Sequence, residues 1–345
     1  ANHITVKSIA QNSPYNSIVD TTDAQQEQSF VSISTEHRSE CDSKSRANSD
    51  REFKRVYNKA LEALEQGIHP VLIPIGSYFI RDKNLENIAV FKPCDEEPFA
   101  ALNPKWPKFF QRILCFCCFG RACLIPNNGY LSETGASIVD DMLQIFVKGY
   151  ESAQTVFSRW DYDKSLFRYL FQKMIVLDYI IRNTDRHMDN LLIRHVPGKV
   201  IELAAIDNGL AFPVKHPECV SRFRTFPFRW TNYRWAKEPW DVELRMHLLT
   251  SINPAFLHDL CHELKILFRH RHINSRYLVF SQMRVVRGQV WNLYDCLAKN
   301  EPPAGLTNRA PVLVTRRYRR SRPTNNNWPQ WYRVRPCNYN NRNCC

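Results

Sequence analysis

The stretch DYIIRNTDRHMDNLLI, residues 178–193, places a dense group of polar side chains between two apolar runs. Apolar residues at spacings of three and four over 167–181 predict a helix with one buried face. The sequences LLI (191–193) and VIELAAI (200–206) are typical of short strands, with a turn at 197–198. Because buried polar groups are costly, the polar cluster is either a solvated loop or a functional site.

Four polar side chains, two in this stretch and two outside it, occur in a definite order along the chain. Asp185 and Asn190 form the pattern D-x-x-x-x-N, and Asp207 follows within AIDNG, at the end of a predicted strand. Far upstream, Lys92 ends the predicted strand AVFK. In kinases a strand lysine contacts nucleotide phosphates, an aspartate orients the hydroxyl nucleophile, and a later asparagine and aspartate hold Mg²⁺. Each residue alone is common by chance, but the ordered set predicts a kinase.

The residues around Asp185 separate the kinase classes. Protein kinases have an arginine before the catalytic aspartate, whereas here Thr184 precedes it and no DFG or APE sequence occurs. The sequence DRHMDN instead has the D-R-H-x-x-N form of phosphoinositide kinases. His187 either assists proton transfer or is a loop histidine bonded to neighbouring backbone, and the sequence leaves both interpretations open.

The charge of the chain restricts its partners. The 345 residues include 47 lysines and arginines against 34 aspartates and glutamates, a formal net charge of +13. This surplus favours an anionic partner, which is nucleic acid, an acidic membrane leaflet or a phosphorylated ligand. We expect no transmembrane helix and no secretory signal, and the clustered cysteines indicate a reducing compartment.

Two segments favour attachment to a membrane. FFQRILCFCCFGRAC (109–123) contains Cys115, Cys117 and Cys118 among aromatic residues and arginines, which suits S-palmitoylation beside acidic lipids. A zinc site and a buried cysteine-rich helix are the alternatives. FRTFPFRWTNYRWAKEPW (223–240) interleaves aromatic residues with arginines, as at bilayer interfaces and in single-strand nucleic-acid binding. We expect an acidic lipid surface rather than a specific nucleic acid.

Longer motifs resemble a known family. IAVFKPCDEEPFAALNPKWPKF, CFGRACLIPNNGYLSETGASIVD, LDYIIRNTDR and AAIDNGLAFPVKHP together look like a type II phosphatidylinositol 4-kinase, with similarity over residues 51–315. The resemblance implies phosphate transfer from ATP to phosphatidylinositol, with ATP and Mg²⁺ as cofactors. It also implies a peripheral, lipid-anchored enzyme on the cytoplasmic face of endosomal, trans-Golgi and plasma membranes, which we expect to be monomeric.

The resemblance assigns roles to individual residues. Asp185 is then the catalytic aspartate, with His187 as its candidate assistant, and Asn190 and Asp207 hold Mg²⁺ beside ATP. The remaining positions belong to the nucleotide and substrate regions. These are Gly76 and Ser77 over the phosphates, Lys92 on the phosphates, Gln144, Ile145, Phe146 and Val147 at the adenine hinge, and Glu96, Glu97 and Pro98 near the substrate.

We predict an α+β, protein-kinase-like fold with two lobes. Residues 1–50 are polar and expected to be disordered. A small strand-containing lobe (51–147) has a helix ending at Gly67, followed by two strands, VLIPIGSYFIRD and NIAVFK. A mostly helical large lobe (148–315) follows, with helices across 241–271 and 276–299, and residues 316–345 form a basic tail that we expect to be disordered.

The small lobe is shorter than in the family. SIVDDMLQIFVKGY joins its helix almost directly to the expected hinge, and IPIGSYF contains a single glycine. These departures keep a second function open, a catalytically weak or inactive membrane-bound adaptor with a kinase fold. A protein kinase is a further rival, which the missing signature sequences disfavour.

Overall fold

The computed structural model describes residues 54–73, 77–91, 123–125, 128–143, 151–159, 165–196, 200–217, 228–271, 276–317 and 321–337. The chain divides into two compact units, Ala1–Phe91 and Lys92–Cys345. Several predictions lie outside the described residues: the disorder of 1–50 and the roles of Gly76, Lys92, Glu96, Glu97, Pro98, Cys115, Cys117, Cys118, Gln144, Ile145, Phe146 and Val147.

The first unit consists of a helix and a small antiparallel sheet. Helix α1 covers residues 54–65 and is followed by Gly67, whose φ of 79° is the left-handed conformation that ends helices. Strands β1 (Val71–Ile73), β2 (Ser77–Arg81) and β3 (Asn87–Phe91) pair in the order β1–β2–β3.

The sequence predicted two strands in this unit, whereas its described residues form three. The run VLIPIGSYFIRD contains two strands that pair antiparallel with each other, with Val71 opposite Phe79. The run also contains a proline and a glycine, residues that interrupt strands, so its apolar character does not indicate one continuous strand.

The second unit is mostly helical. Its helices are α2 (Gly129–Leu143), α3 (Ala153–Arg159), α4 (Ser165–Ile181), α5 (Arg234–Lys237), α6 (Val242–Ser251), α7 (Pro254–Arg271), α8 (Arg276–Ala298) and α9 (Trp328–Trp331), with 3-10 turns at Met188–Asn190, Arg229–Asn232 and Pro303–Asn308. One antiparallel sheet has the order β4 (Glu151–Ser152), β5 (Leu191–Val196), β6 (Val200–Ala205), and a second joins β7 (Val312–Arg316) to β8 (Tyr332–Pro336). Among the described helices none is long and apolar enough to cross a bilayer.

Helix α4 lies at the centre of this unit. It packs against α2, α8 and strand β6, and Phe167, Phe171 and Met174 on it are almost completely buried. The apolar spacing of the sequence therefore predicted the helix correctly. Helix α2, which we assigned to the small lobe, packs against α4 and α7 of the second unit.

The tryptophans in the described part of the segment 223–240 belong to the core. Trp230, Trp235 and Trp240 are buried, and Trp235 lies with its ring centroid 4.6 Å from that of Phe167. The prediction that this segment presents its aromatic residues to a bilayer or to nucleic-acid bases is wrong for these three tryptophans. They fill the space between helices, while Arg229 and Arg234 beside them remain exposed.

The C-terminal region also folds onto the second unit. Trp328, Trp331 and Tyr332 are buried, and the Tyr332 hydroxyl donates a hydrogen bond to the Pro254 carbonyl at 3.1 Å. The prediction of a disordered tail is therefore wrong for residues 321–337. Its arginine- and asparagine-rich composition indicated disorder, but three aromatic side chains are buried, and Trp328 packs against Trp291 and Tyr294 of α8. Residues 338–345 lie outside the described part of the chain.

One carbonyl group connects three parts of the second unit. A Cβ atom at Gly288 of α8 would overlap with the Val312 carbonyl oxygen, so helix and strand β7 touch backbone to backbone. The same oxygen accepts a hydrogen bond from His216 Nε2 at 2.9 Å. Burial lowers the pKa of His216 to about 4, because the charged imidazolium is poorly solvated there.

We expect Gly288→Ala to lower the free energy of unfolding by about 3 kcal/mol or more, because the new methyl group forces α8 and β7 apart. Urea denaturation monitored by circular dichroism measures this loss. Gly305→Ala is the matched control, since a Cβ there meets only side-chain atoms of Glu301 at 3.4 Å or more. Equal losses in the two variants would contradict the close contact.

The stability of the protein should fall as pH decreases from 6.5 to about 4. In this window the unfolded chain protonates His216 and the folded chain does not, so unfolding is favoured. Replacement of His216 with Gln, which keeps an N–H donor, should remove roughly 3 kcal/mol of this pH dependence. Denaturation at a series of pH values tests it, with His247→Gln at an exposed site as control; the same change in both variants would contradict the prediction.

Candidate active site

The polar stretch begins where helix α4 ends. Arg182 adopts a left-handed φ of 51°, and the Asn183 backbone N–H closes the last turn on the Asp178 carbonyl at 3.0 Å. Thr184 donates from both its N–H (3.1 Å) and its hydroxyl group (2.8 Å) to the Leu210 carbonyl. The loop after α4 is thus bonded directly to the segment after β6.

The guanidinium group of Arg186 holds these two loops together. It is almost fully buried and forms an ion pair with Asp178 of α4, with Nη2 2.9 Å and Nε 3.0 Å from the carboxylate. Nη1 donates to the Asn190 carbonyl at 2.7 Å and to the Ile206 carbonyl. Nη2 also donates to the Asn208 side-chain oxygen. One side chain therefore connects a helix, the loop of Asp185 and the loop of Asp207.

The geometry of this cluster explains why a buried charge is tolerated. A planar guanidinium group presents five donors in a fixed arrangement, which matches a carboxylate and three further oxygens at once. Burial raises the pKa of the Asp178 carboxyl group, and the adjacent Arg186 guanidinium opposes that shift. Loss of either partner would leave an uncompensated charge in the core.

The backbone around Asp185 is held from both sides. Its N–H donates to the Asn183 side-chain oxygen at 2.8 Å, and its carbonyl accepts from the His187 N–H at 2.9 Å. The same carbonyl accepts from Asn190 Nδ2 at 3.3 Å, so the amide nitrogen of Asn190 is engaged with the Asp185 backbone. Asp185 itself is half-buried.

Asp207 lies on the adjoining loop. Its φ of 54° is left-handed, and the preceding residue, Ile206, donates its N–H to the Asn190 carbonyl at 3.0 Å. A Cβ at Gly209 would lie 3.6 Å from both the Asp207 carboxylate and the Gly129 Cα atom. The absence of a side chain at Gly209 therefore leaves space between this carboxylate and the first residue of α2.

The amide oxygen of Asn190 and the carboxylate of Asp207 are metal ligands of the kind that Mg²⁺ prefers. Within the described ranges no group of three His, Cys, Asp or Glu side chains is arranged to hold a metal. One carboxylate and one amide suit a cation that also binds nucleotide phosphates and water, as Mg²⁺ does in kinases. The donor set thus fits the expected cofactor.

His187 begins the 3-10 turn after Asp185, and its ring is partly exposed. Its Nδ1 lies 3.6 Å from an Asp189 carboxylate oxygen. The ring lines a cavity of about 480 Å³ next to the loop, whose other described lining residues are Gln154, Met188, Asp189, Arg229, Asn232 and Tyr233. The role of His187 in proton transfer stays a prediction.

Comparison with known proteins places the chain in a family. Residues 140–236 match the family described as phosphatidylinositol 3- and 4-kinase. The chain is 34% identical over 356 residues to phosphatidylinositol 4-kinase type 2-beta of Xenopus tropicalis, covering 77% of this chain and 72% of that protein. It is 35% identical to the type 2-alpha protein of Danio rerio, covering 77% of each chain. The chain belongs to the type II phosphatidylinositol 4-kinase family.

In this member of the family, the structure brings Asp185, Asn190 and Asp207 onto two adjoining loops. Ser77 lies at the start of β2 in the first unit. The catalytic and metal-binding roles of these residues, like those outside the described residues, stay predictions.

The residues that support the candidate site were not singled out from the sequence. Asp178, Asn183 and Asn208 each carry a loop contact, yet each is of a common type in an unremarkable position. The one available signal was the position of Asp178 within an otherwise apolar helix, since a buried carboxylate requires a partner.

Replacement of Arg186 with Met should lower the free energy of unfolding by about 3–5 kcal/mol, because Asp178 is left buried without its partner. The double variant Asp178→Leu/Arg186→Met should recover part of this stability, since no lone charge remains. It should not recover kinase activity, because the Asn190 and Ile206 carbonyls still lack their donor.

Urea denaturation and lipid phosphorylation, measured on the same preparations, test both expectations. Arg194→Met is the matched control, because Arg194 forms a surface pair with Glu202 at 3.4 Å that contributes less than about 1 kcal/mol. A double variant that is as unstable as Arg186→Met would show that the ion pair is not the source of the loss.

Proposed function

We propose that this chain transfers the γ-phosphate of ATP to the 4-hydroxyl group of phosphatidylinositol, producing phosphatidylinositol 4-phosphate. The observation that carries the proposal is the Arg186 network, which bonds the Asp185–Asn190 loop to the loop of Asp207. Membership of the type II phosphatidylinositol 4-kinase family supports this choice of lipid and hydroxyl group. We include Mg²⁺ as the metal cofactor.

Catalysis then depends mainly on positioning and on charge neutralisation. When bound, Mg·ATP would supply the γ-phosphoryl group, and the cation would partly neutralise the negative charge on the phosphate oxygens. The Asn190 side-chain oxygen and the Asp207 carboxylate would hold the cation. Asp185 orients the inositol hydroxyl group and accepts its proton. The Asp185 N–H donates to the Asn183 side-chain oxygen and its carbonyl accepts from Asn190 Nδ2, so the Asp185 backbone needs little rearrangement on binding.

The cavity beside His187 is the place that we propose for the inositol headgroup. Its volume of about 480 Å³ is within the usual range for small-molecule sites. Arg229 supplies a cation for the lipid phosphodiester, and Gln154 and Asn232 supply groups that hydrogen-bond to ring hydroxyls. His187 lines this cavity and follows Asp185 by two residues, and in this proposal it assists the transfer of the proton.

We propose that a monomer acts from the cytoplasmic face of endosomal, trans-Golgi and plasma membranes. Acylation of Cys115, Cys117 and Cys118 provides the lipid anchor in this proposal. The formal net charge of +13 adds attraction to acidic lipids.

Asp185→Asn should lower kcat for phosphatidylinositol phosphorylation by about 10²–10⁴-fold, because the variant cannot accept the hydroxyl proton. Radiolabel transfer from ATP to phosphatidylinositol in detergent micelles measures this loss. Glu202→Gln, which removes a carboxylate on β6 outside the site, is the control and should retain wild-type turnover.

The outcome also separates the proposal from the non-enzyme alternative. Absence of turnover in both the wild type and Asp185→Asn, together with absence of Mg·ATP binding, would contradict a kinase. Those results would favour a membrane-bound adaptor with a kinase fold.

A further inference from the structure

A second cavity of about 480 Å³ lies between helix α8 and the β7–β8 hairpin. Its described lining residues carry five guanidinium groups and no carboxylate: Phe280, Arg284, Thr315, Arg316, Arg317, Arg333 and Arg335. We call it the arginine cavity. Four of the five arginines follow residue 315, where the resemblance to the kinase family ends, so the proposed reaction does not account for them.

The fold brings these arginines together. In the hairpin, Thr315 lies opposite Arg333 and Leu313 lies opposite Arg335. Side chains alternate along a strand, so Arg333 and Arg335 lie on the same face of β8. On helix α8, Arg284 lies one turn before Gly288, the point of backbone contact with β7. That contact therefore holds Arg284 next to the strand arginines.

The contacts of these arginines are with neutral groups. Arg316 donates to the Ser321 carbonyl, and Arg317 Nε donates to the Pro329 carbonyl at 2.8 Å. The Arg284 guanidinium lies 5.8 Å from the centre of the Phe280 ring. The Nε atoms of Arg284 and Arg316 are buried and make no hydrogen bond to any described group. Within the described residues, the positive charge of the cavity is thus not neutralised by a lining carboxylate.

Such a cluster is suited to a multiply charged anion. Like charges at close range repel one another, and burial lowers the pKa of Arg316, so an anionic ligand would offset both effects. Guanidinium groups bind phosphate oxygens through paired hydrogen bonds. A phosphomonoester has three terminal oxygens and close to two negative charges at neutral pH, more than a phosphodiester offers.

The surroundings of the cavity are also compatible with a membrane surface. Tyr277 and Phe280, on the same side of α8, are 65% and 44% exposed. Aromatic side chains of this kind favour the interface between lipid headgroups and acyl chains. The phosphate of a lipid ligand would therefore contact the arginines, while the exposed aromatic side chains nearby would contact the membrane interface.

We propose that the arginine cavity binds a phosphomonoester dianion, carried either by a phosphorylated inositol lipid or by the corresponding soluble headgroup. The site is formed by residues other than those of the cavity beside His187. Binding requires neither ATP nor turnover, so this inference does not rest on the proposed function. A lipid source would retain the protein on membranes that contain the class of lipid in question.

The test compares the full-length wild type with Arg333→Gln/Arg335→Gln in the absence of ATP. Titration calorimetry measures binding of inositol 1,4-bisphosphate. Cosedimentation measures binding to phosphatidylcholine vesicles that contain phosphatidylinositol 4-phosphate, phosphatidylinositol or phosphatidylserine at equal total negative charge. The variant should raise the Kd for the phosphomonoester probes about tenfold, the effect of losing charge-assisted hydrogen bonds to phosphate.

Two further variants make the test specific. Arg269→Gln/Arg276→Gln removes the same charge from exposed positions outside the cavity and should change Kd less than about twofold. Thr315→Glu adds a carboxylate to the lining and should weaken binding as the double arginine variant does. Thermal denaturation tests whether each variant folds. Because Arg333 and Arg335 are exposed, their replacement should leave the core unchanged.

Binding of the vesicles alone would identify the lipid as the source, and binding of the soluble bisphosphate would identify a free headgroup; both results support the proposal. Three results would overturn it. These are equal binding to phosphatidylserine vesicles of matched charge, an equal loss of affinity in the control pair, and tighter binding to a single-stranded oligonucleotide than to either phosphomonoester probe.

Discussion

The buried ion pair between Asp178 and Arg186 is the interaction on which the candidate site depends. Asp178 belongs to helix α4, whose apolar side chains lie in the core, so the guanidinium group is anchored to the core of the second unit. Its remaining donors reach the Asn190 and Ile206 carbonyls. The positions of the proposed catalytic and metal-binding loops are therefore set by the core rather than by the loops themselves. Because the pair is enclosed, its attraction is little screened by solvent.

The Val312 backbone carbonyl also connects elements of this unit that are distant in sequence. The Val312 oxygen lies against Gly288 and accepts a hydrogen bond from His216, a few residues beyond the Asp207 loop. Strand β7 thus connects helix α8, the segment after the site and, through its pairing with β8, the arginine cavity. The candidate active site and the arginine cavity are therefore connected through β7. Each of them is formed by residues that are distant in sequence.

The errors of prediction in two segments of the second unit share one cause, which is that composition does not report on tertiary contacts. Aromatic residues among arginines in 223–240 indicated an interface, yet Trp230, Trp235 and Trp240 fill the core. The polar composition after residue 316 indicated disorder, yet Trp328, Trp331 and Tyr332 are buried. Trp328 packs against Trp291 of α8, and Tyr332 bonds to Pro254 of α7. In both segments the arginines make the average composition polar. A few large side chains nevertheless supply most of the buried apolar surface.

The sequence by itself determined the central helix, the β5–β6 hairpin and the positions of Asp185, Asn190 and Asp207, because local periodicity and motif spacing are properties of neighbouring residues. It also determined membership of the type II phosphatidylinositol 4-kinase family. Only the tertiary structure decided that Arg186 pairs with Asp178, that the C-terminal hairpin covers α8, and that five arginines meet in one cavity. The physical reason is that these contacts join residues far apart in the chain, and they form only when helices and strands pack together.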